Sequence, residues 1–281
     1  MACGLFAYDI AKFNPLTRVS EHATKQGKEN GMETMTRLAA VEGAGDTKVL
    51  VLHGWALDSG VWLAARALSD QARFNYAYFD FPGYGVNRAE PPANGVDGMA
   101  EAAIAAADSL GWDKFSVLGH SMGGVTALRV ATLIPQRITA VAALTPVAPA
   151  GTPLDKDTYA AYQGAWIDPG AAIKSALSPD IDSVDLNNLV KRNRASMTEA
   201  VWRAYLANWT GPHFDAELGK CKMPVTLFVG ASDPFVTKEY LADTLRKLPK
   251  GTLKTIAGAG HYPMIEQPAA SVAAWEEALG G

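Results

Sequence analysis

The sequence predicts an α/β fold: a mostly parallel, twisted β-sheet with helices on both faces and an inserted helical lid. Two observations carry this prediction. Short apolar runs of strand length alternate with stretches of helical periodicity along most of the chain, and this alternation stops between Pro146 and about Leu218. Several short helices rich in tyrosine and tryptophan are predicted there, so we interpret this segment as the lid.

This interpretation divides the chain into three parts. Residues 1–31 are predicted to form an irregular N-terminal extension, residues 32–147 and 219–281 the core, and residues 148–218 the lid. The apolar patterns predict strands at residues 34–41, 48–53, 74–79, 114–118, 138–144, 224–230 and 251–257, and helices at residues 61–69, 96–110, 124–134 and after residue 261.

The pentapeptide Gly119-His120-Ser121-Met122-Gly123 lies between a predicted strand and a predicted helix. A strand that leads through G-x-S-x-G directly into a helix forms a nucleophile elbow, a tight turn with no room for a side chain at either glycine. Such a turn exposes the serine Oγ above the sheet, at a helix N-terminus where free N–H groups stabilise negative charge. Ser121 is therefore the candidate nucleophile.

A serine hydroxyl is a weak nucleophile near neutral pH and needs a base, and the chain has five histidines. His261 follows a predicted strand and precedes the final helix, which favours it as the base. His53 lies in a turn where a structural role is expected, and the side chain of His120 is expected to point away from the nucleophile. His22 and His213 lie in a polar N-terminal stretch and in the lid.

The group that orients the base is predicted to be Asp233. It follows the apolar strand at residues 224–230, which Pro234 ends because proline lacks the N–H that a strand ladder needs. Asp80 is the competing carboxylate, but it precedes Ser121 and heads a Pro-Gly turn. The alternative for Asp233 is a turn-capping role.

Two backbone N–H groups are expected to bind the oxyanion that forms during acyl transfer. Met122 follows the nucleophile directly, and Trp55 follows an early strand in the sequence Leu52-His53-Gly54-Trp55. The Trp55 indole is also expected to form a wall of the acyl pocket, with a place in the core as the alternative.

The motifs HGW, DFPGYG, GHSMGG, GASDPF and GAGHYP occur in this order along the chain. Their order and spacing resemble the α/β-hydrolase superfamily, and the resemblance runs from about Arg37 to the C-terminus. It implies the α/β-hydrolase fold and a Ser, acid, His order of catalytic residues, here Ser121, Asp233 and His261. Within the superfamily the chain is similar to small-ester carboxylesterases, including the pimeloyl-carrier-protein methyl esterase type, and to lactonases.

This resemblance implies a serine hydrolase that cleaves an ester or lactone with an apolar portion, without a metal or an organic cofactor. Haloalkane dehalogenases and epoxide hydrolases have an aspartate in place of Ser121. Ring-cleavage C–C hydrolases often have an asparagine where this chain has His120, and a Gly-Pro-Gly sequence near Trp55. A C–C hydrolase or a cofactor-free perhydrolase with the same catalytic residues is one alternative, and a non-catalytic ligand-binding receptor is another.

The aromatic residues of the lid are expected to roof an apolar pocket. The candidate substrate-binding residues are Trp55, Tyr159, Trp166, Trp202, Tyr205 and Trp209. Packing of the lid onto the core is the alternative for each ring. The basic run Lys191-Arg192-Asn193-Arg194 could bind a substrate carboxylate or an acidic carrier protein, or form a solvated helix face.

The composition fits one large core, with 281 residues of which 48% are apolar and 19% charged. The formal net charge is −4, and no basic tract indicates nucleic-acid binding. No apolar run approaches the roughly 20 residues that cross a bilayer, and the N-terminus resembles no secretory signal. Cys3 and Cys221 lack metal-ligand spacing, which favours free thiols in the cytoplasm. The expected partner is a small ester or lactone, without nucleic acid or membrane.

Overall fold

The computed structural model describes residues 37–280 of the chain. The extension predicted at residues 1–31 lies outside the described residues, as does part of the strand predicted at residues 34–41. The strands of the described part are β1 (Leu38–Glu42), β2 (Thr47–Leu52), β3 (Phe74–Phe79), β4 (Phe115–His120), β5 (Ile138–Leu144), β6 (Val225–Gly230) and β7 (Gly251–Ile256).

These strands form one sheet in the order β1-β3-β2-β4-β5-β6-β7. β1 is antiparallel to β3, and every other neighbouring pair is parallel. The predicted mostly parallel sheet is therefore confirmed. The carboxyl ends of the parallel strands meet along one edge, which is where ligands bind in open sheets of this class.

Helices cover both faces of the sheet, as predicted. They are α1 (Leu63–Arg66), α2 (Gly95–Ser109), α3 (Met122–Leu133), α4 (Lys156–Gly164), α5 (Pro169–Ala176), α6 (Ser183–Ser196), α7 (Glu199–Thr210), α8 (Lys238–Lys247), α9 (Pro263–Glu266) and α10 (Pro268–Leu279). The helix predicted at residues 61–69 is shorter than expected, because the Asp58 carboxylate accepts the Gly60 N–H and starts a 3-10 turn over Ser59–Trp62 before α1.

Two apolar clusters hold the helices to the sheet. Side chains alternate between the two faces of a strand, so Leu50 and Leu52 of β2 enter one cluster with α2, α3 and α8. Val49 and Val51 of the same strand enter the other cluster with α1, α9 and α10. The sheet is therefore buried on both sides, as a parallel sheet requires.

Helices α4 to α7, which we call the inserted helices, lie between β5 and β6. Each begins at a side chain that accepts a backbone N–H of its first turn. The four capping residues are Asp155, Asp168, Asp182 and Thr198. Their position agrees with the predicted insertion, while the lid boundaries at residues 148 and 218 stay a prediction.

Cys221 is buried and makes no disulfide, and burial raises the pKa of its thiol to about 11. Cys3 lies outside the described residues. Within residues 37–280, no helix is long and apolar enough to cross a membrane. The cytoplasmic location stays a prediction.

Candidate active site

Ser121 occupies the turn between β4, which ends at His120, and α3, which begins at Met122. Its backbone has φ of 52° and ψ of −114°, a region that L-residues seldom adopt. The Ser121 N–H donates to the carbonyl of Leu144 at the end of β5, at 2.9 Å. The sharp turn is thereby fixed to the neighbouring strand.

The glycines on either side of Ser121 are required by close backbone approaches. A Cβ at Gly119 would overlap the carbonyl of Gly123. A Cβ at Gly123 would lie 2.5 Å from the carbonyl oxygens of Leu52 and His53. The pentapeptide therefore folds as the tight strand-to-helix turn that the sequence predicts.

Ser121, His261 and Asp233 form a continuous hydrogen-bonded array. His261 Nε2 lies 3.0 Å from Ser121 Oγ, and His261 Nδ1 lies 2.8 Å from Asp233 Oδ2. All three residues are buried. Since a carboxylate can only accept, Asp233 favours the tautomer with the proton on Nδ1, which leaves a lone pair on Nε2 facing the serine.

The Asp233 carboxylate is held in one orientation by the loop that follows it. Its Oδ1 accepts the N–H groups of Phe235 and Val236 at 2.8 and 3.0 Å. The other oxygen, Oδ2, is therefore directed at His261.

The backbone of His261 is fixed from both sides. Its N–H donates to Ser178 Oγ at 2.9 Å and to the Leu177 carbonyl at 3.1 Å. Its carbonyl accepts from His120 Nε2 at 2.8 Å and from Thr145 Oγ1 at 3.0 Å. The imidazole is thus positioned by the last residue of β4, by the residue that follows β5 and by the segment that follows α5.

Two further buried histidines take structural positions. His120 turns its Nε2–H to the His261 carbonyl, and His53 accepts the Phe81 N–H at Nε2 and donates from Nδ1 to the Gly54 carbonyl. Burial lowers the pKa of both rings. Both are therefore neutral near pH 7.

Asp80, the competing carboxylate, braces a loop. Its Oδ1 accepts the Ser59 N–H at 2.6 Å, and its Oδ2 accepts the Val86 N–H at 2.9 Å. Each carboxylate oxygen of Asp80 thus accepts a hydrogen bond from a backbone N–H group.

Of the two predicted oxyanion donors, Met122 directly follows Ser121 and Trp55 directly follows Gly54. Met122 is the first residue of α3, where N–H groups have no intrahelical partner. A Cβ at Gly54 would lie 3.3 Å from the Ser121 Cβ, so the loop that leads from β2 into Trp55 passes beside Ser121.

A cavity opens at this array and is lined by Ser121 and His261. A concave site with apolar walls and a few polar groups is the usual form of a small-molecule site. Most of its walls are apolar and aromatic side chains, among them Trp55, Leu57, Tyr162, Trp202, Trp209 and Phe235.

Three of the six predicted substrate-binding residues line this cavity, namely Trp55, Trp202 and Trp209. The other three, Tyr159, Trp166 and Tyr205, are not among its lining residues. Tyr205 instead donates its hydroxyl to the Pro82 carbonyl at 2.7 Å. The Trp166 ring packs under the Arg194 guanidinium at 4.3 Å.

Sequence reasoning missed several lining residues. Phe235 and Tyr262 lie within the motifs GASDPF and GAGHYP that contain Asp233 and His261, and that proximity was a usable signal. Ile173 and Asn193 of the inserted helices also line the cavity, but no pattern in the sequence distinguishes them from their neighbours.

The basic run on α6 is used for tethering. Arg192 pairs with Asp58 at 2.6 Å, and Arg194 donates to the Ile167 carbonyl at 2.9 Å. Asn193, between them, is buried.

Among residues 37–280, no group of three or more His, Cys, Asp or Glu side chains is placed to hold a metal ion.

A family model described as the alpha/beta hydrolase family matches residues 49–275. The chain belongs to the alpha/beta hydrolase family. This alpha/beta hydrolase is 29% identical over 235 residues to a pimeloyl-[acyl-carrier protein] methyl ester esterase of Nitrosomonas europaea, covering 78% of this chain and 90% of the relative.

It is also 28% identical over 238 residues to the dihydrolipoyllysine-residue acetyltransferase component of the acetoin cleaving system of Pseudomonas putida. That match covers 80% of this chain and 61% of the relative. Among solved structures, the enol-lactonase of Burkholderia xenovorans superposes with a TM-score of 0.76 at 18% identity, covering 88% of this chain and 97% of the other. At 18% identity, the similarity to the enol-lactonase structure shows the shared fold alone.

Proposed function

We propose that this alpha/beta hydrolase is a serine hydrolase that cleaves a carboxylic ester or lactone with an apolar portion through an acyl-enzyme intermediate. The observation that carries the proposal is the buried array in which His261 lies 3.0 Å from Ser121 Oγ and 2.8 Å from Asp233. These distances are within reach for proton transfer between a nucleophile, its base and the group that orients the base.

In the acylation step, Ser121 Oγ attacks the substrate carbonyl while His261 Nε2 removes the hydroxyl proton. Asp233 holds the proton on Nδ1 and stabilises the imidazolium that forms. The N–H groups of Trp55 and Met122 bind the oxyanion of the tetrahedral intermediate. The imidazolium then gives its proton to the leaving alkoxide, and the carbon–oxygen bond of the ester breaks.

In the deacylation step, water attacks the acyl group on Ser121 and gives a proton to His261. Collapse of the second tetrahedral intermediate releases the carboxylic acid and restores the serine hydroxyl. For a lactone, the alcohol and the acid are parts of one product.

The apolar walls of the cavity support a substrate with an apolar portion. Each methylene group buried there contributes about 0.8 kcal/mol, which the ring surfaces of Trp55, Trp202 and Trp209 can provide. The inserted helices act as the lid of this pocket, within residues 148–218. The similarity to a methyl ester esterase supports the same class of bond.

Covalent labelling tests the proposal. A fluorophosphonate reacts only with an activated serine, so we expect it to label the protein and to fail with Ser121→Ala. Ser116→Ala is the matched control, since Ser116 lies on β4, the strand that leads to Ser121, and its hydroxyl pairs with that of Thr139 at 2.6 Å. Circular dichroism checks that both variants fold. Undiminished labelling of Ser121→Ala would overturn the assignment, and labelling without ester turnover would favour a receptor.

A further inference from the structure

Several residues that line the cavity carry a buried polar atom without a hydrogen-bond partner. Among the described residues, buried side-chain nitrogen or oxygen atoms without a hydrogen bond belong to Trp62, Asn75, His120, Asn193 and Trp209. Three of these five residues, His120, Asn193 and Trp209, line the cavity. Buried polar groups are normally paired, so such a concentration calls for a functional reason.

Asn193 is the most informative of the three. Its Nδ2 donates to the Ala56 carbonyl at 3.0 Å, and this bond fixes the orientation of the amide, since a carbonyl can only accept. The opposite end, Oδ1, is an acceptor that no donor in the described residues reaches. Asn193 as a whole residue is 2% exposed.

The surroundings of Asn193 make an unpaired oxygen unfavourable. Leu189, one turn earlier on α6, and Ile173 of α5 line the same cavity with apolar side chains. A leucine at position 193 would fill a wall of this kind without an unpaired side-chain oxygen, although the Ala56 carbonyl would then lose the bond from Nδ2. The described residues thus supply a partner for the NH2 group of Asn193 but none for its oxygen.

We propose that Asn193 Oδ1 accepts a hydrogen bond from the substrate, so that the substrate is an ester or lactone carrying a hydroxyl or an amide N–H outside the reacting group. This inference rests on the proposed function and narrows its substrate class. Trp209, which lines the same cavity, carries an unpaired donor at Nε1. A hydroxyl or a secondary amide contains both a donor and an acceptor, and so matches the two kinds of unpaired atom.

Matched substrates test this inference. Three kinds of nitrophenyl ester with equal acyl length are compared. The first has an unsubstituted acyl chain, the second carries one hydroxyl group at a different acyl carbon in each ester, and the third has a secondary amide in place of two methylene groups. The quantity measured is the ratio of kcat/KM for the polar ester to that for the unsubstituted ester. We expect at least one hydroxyl or amide ester to be preferred by the natural protein, and the better of the two series identifies the donor.

Asn193→Leu is expected to lower that ratio by about 5- to 150-fold, the range expected when a buried hydrogen bond is lost. Using a ratio cancels any general loss caused by freeing the Ala56 carbonyl, because such a loss affects both esters. Asn193→Ala provides the same test if the leucine variant does not fold.

Asn208→Leu is the matched control. Asn208 lies on α7 among the inserted helices and tethers a loop in the same way, but both ends of its amide are paired, with the Ala93 carbonyl and the Gly95 N–H. The ratio of kcat/KM for the polar ester to that for the unsubstituted ester is expected to be the same in Asn208→Leu as in the natural protein.

An unchanged ratio in the Asn193 variants, with fluorophosphonate labelling of Ser121 intact, would overturn the inference and leave the proposed function standing. Absence of labelling in the natural protein would refute the proposed function and this inference with it.

Discussion

Asp233→Asn replaces one carboxylate oxygen by an NH2 group without changing the size of the side chain. The N–H groups of Phe235 and Val236 point at Oδ1, so the amide oxygen of the variant has to occupy that place. The NH2 group then faces His261 Nδ1, 2.8 Å away from the present Oδ2. Nδ1 is forced to accept, the proton moves to Nε2, and the imidazole can no longer receive the proton of Ser121.

The size of the effect follows from this tautomer change. The corresponding substitution in a Ser-His-Asp protease lowers kcat by about 10⁴-fold, or about 5.4 kcal/mol of transition-state stabilisation at about 1.36 kcal/mol per factor of ten. The Asp233 side chain is fully buried, so water cannot replace the lost carboxylate. We expect kcat to fall by about 10³- to 10⁴-fold, with little change in KM because Asp233 does not line the cavity.

The assay is steady-state hydrolysis of a nitrophenyl ester, with thermal unfolding followed by circular dichroism. Asp80→Asn is the matched control, since Asp80 also accepts two backbone N–H groups but does not bond His261. An amide can accept only one of these bonds. We expect a loss of about 1.5–3 kcal/mol in the free energy of unfolding and a small effect on kcat.

A severe loss of kcat in Asp80→Asn together with a mild loss in Asp233→Asn would refute this reasoning. A severe loss in Asp233→Asn that came with unfolding would also contradict it, since the two bonds from Phe235 and Val236 are expected to survive.

Three further predictions concern the pocket, the turn and the pH dependence. Trp202→Ala is expected to lower kcat/KM for long-chain esters about tenfold more than for acetate esters, whereas Trp166→Ala, away from the cavity, is expected to affect both alike. In urea unfolding, Gly123→Ala is expected to lower the free energy of unfolding by about 1–3 kcal/mol, because its Cβ would lie 2.5 Å from backbone oxygens. Gly98→Ala in α2 is expected to raise the free energy of unfolding by about 0.5–1 kcal/mol, because the nearest neighbours of its Cβ lie at 3.8 Å. Burial lowers the pKa of His53 from its usual value of 6.5. Below pH 6.5 the unfolded chain therefore binds more protons at this residue than the folded chain does. The free energy of unfolding then falls as the pH drops, by up to about 1.4 kcal/mol per pH unit for this group. His53→Gln is expected to give a shallower fall over the same pH range, and an equal slope would contradict this contribution.

The parts of the site that short-range chemistry determines could be predicted from the sequence. The turn at Ser121 depends on two glycines within the same pentapeptide. Asp233 and His261 each follow a strand of the parallel sheet, β6 and β7 respectively, so the topology brings them to one edge. The sheet and its covering helices follow from the alternation of strand and helix patterns.

The direction of side chains on the inserted helices could not be predicted in the same way. Trp202, Tyr205 and Trp209 share α7 and are all buried, but the hydroxyl of Tyr205 bonds the Pro82 carbonyl while the two tryptophans line the cavity. Asn193 lies among charged residues in the sequence and yet is buried. Its direction depends on how α6 meets the loop that contains Ala56, a long-range contact without a local pattern.

The most direct test of the central claim is mass spectrometry of the protein quenched with acid during hydrolysis of a slowly deacylating ester. We predict that the intact mass increases by one acyl group, that peptide mapping assigns the group to Ser121, and that Ser121→Ala shows no adduct. Ester hydrolysis at full rate by Ser121→Ala, or an acyl group mapped to a different residue of the natural protein, would contradict the account.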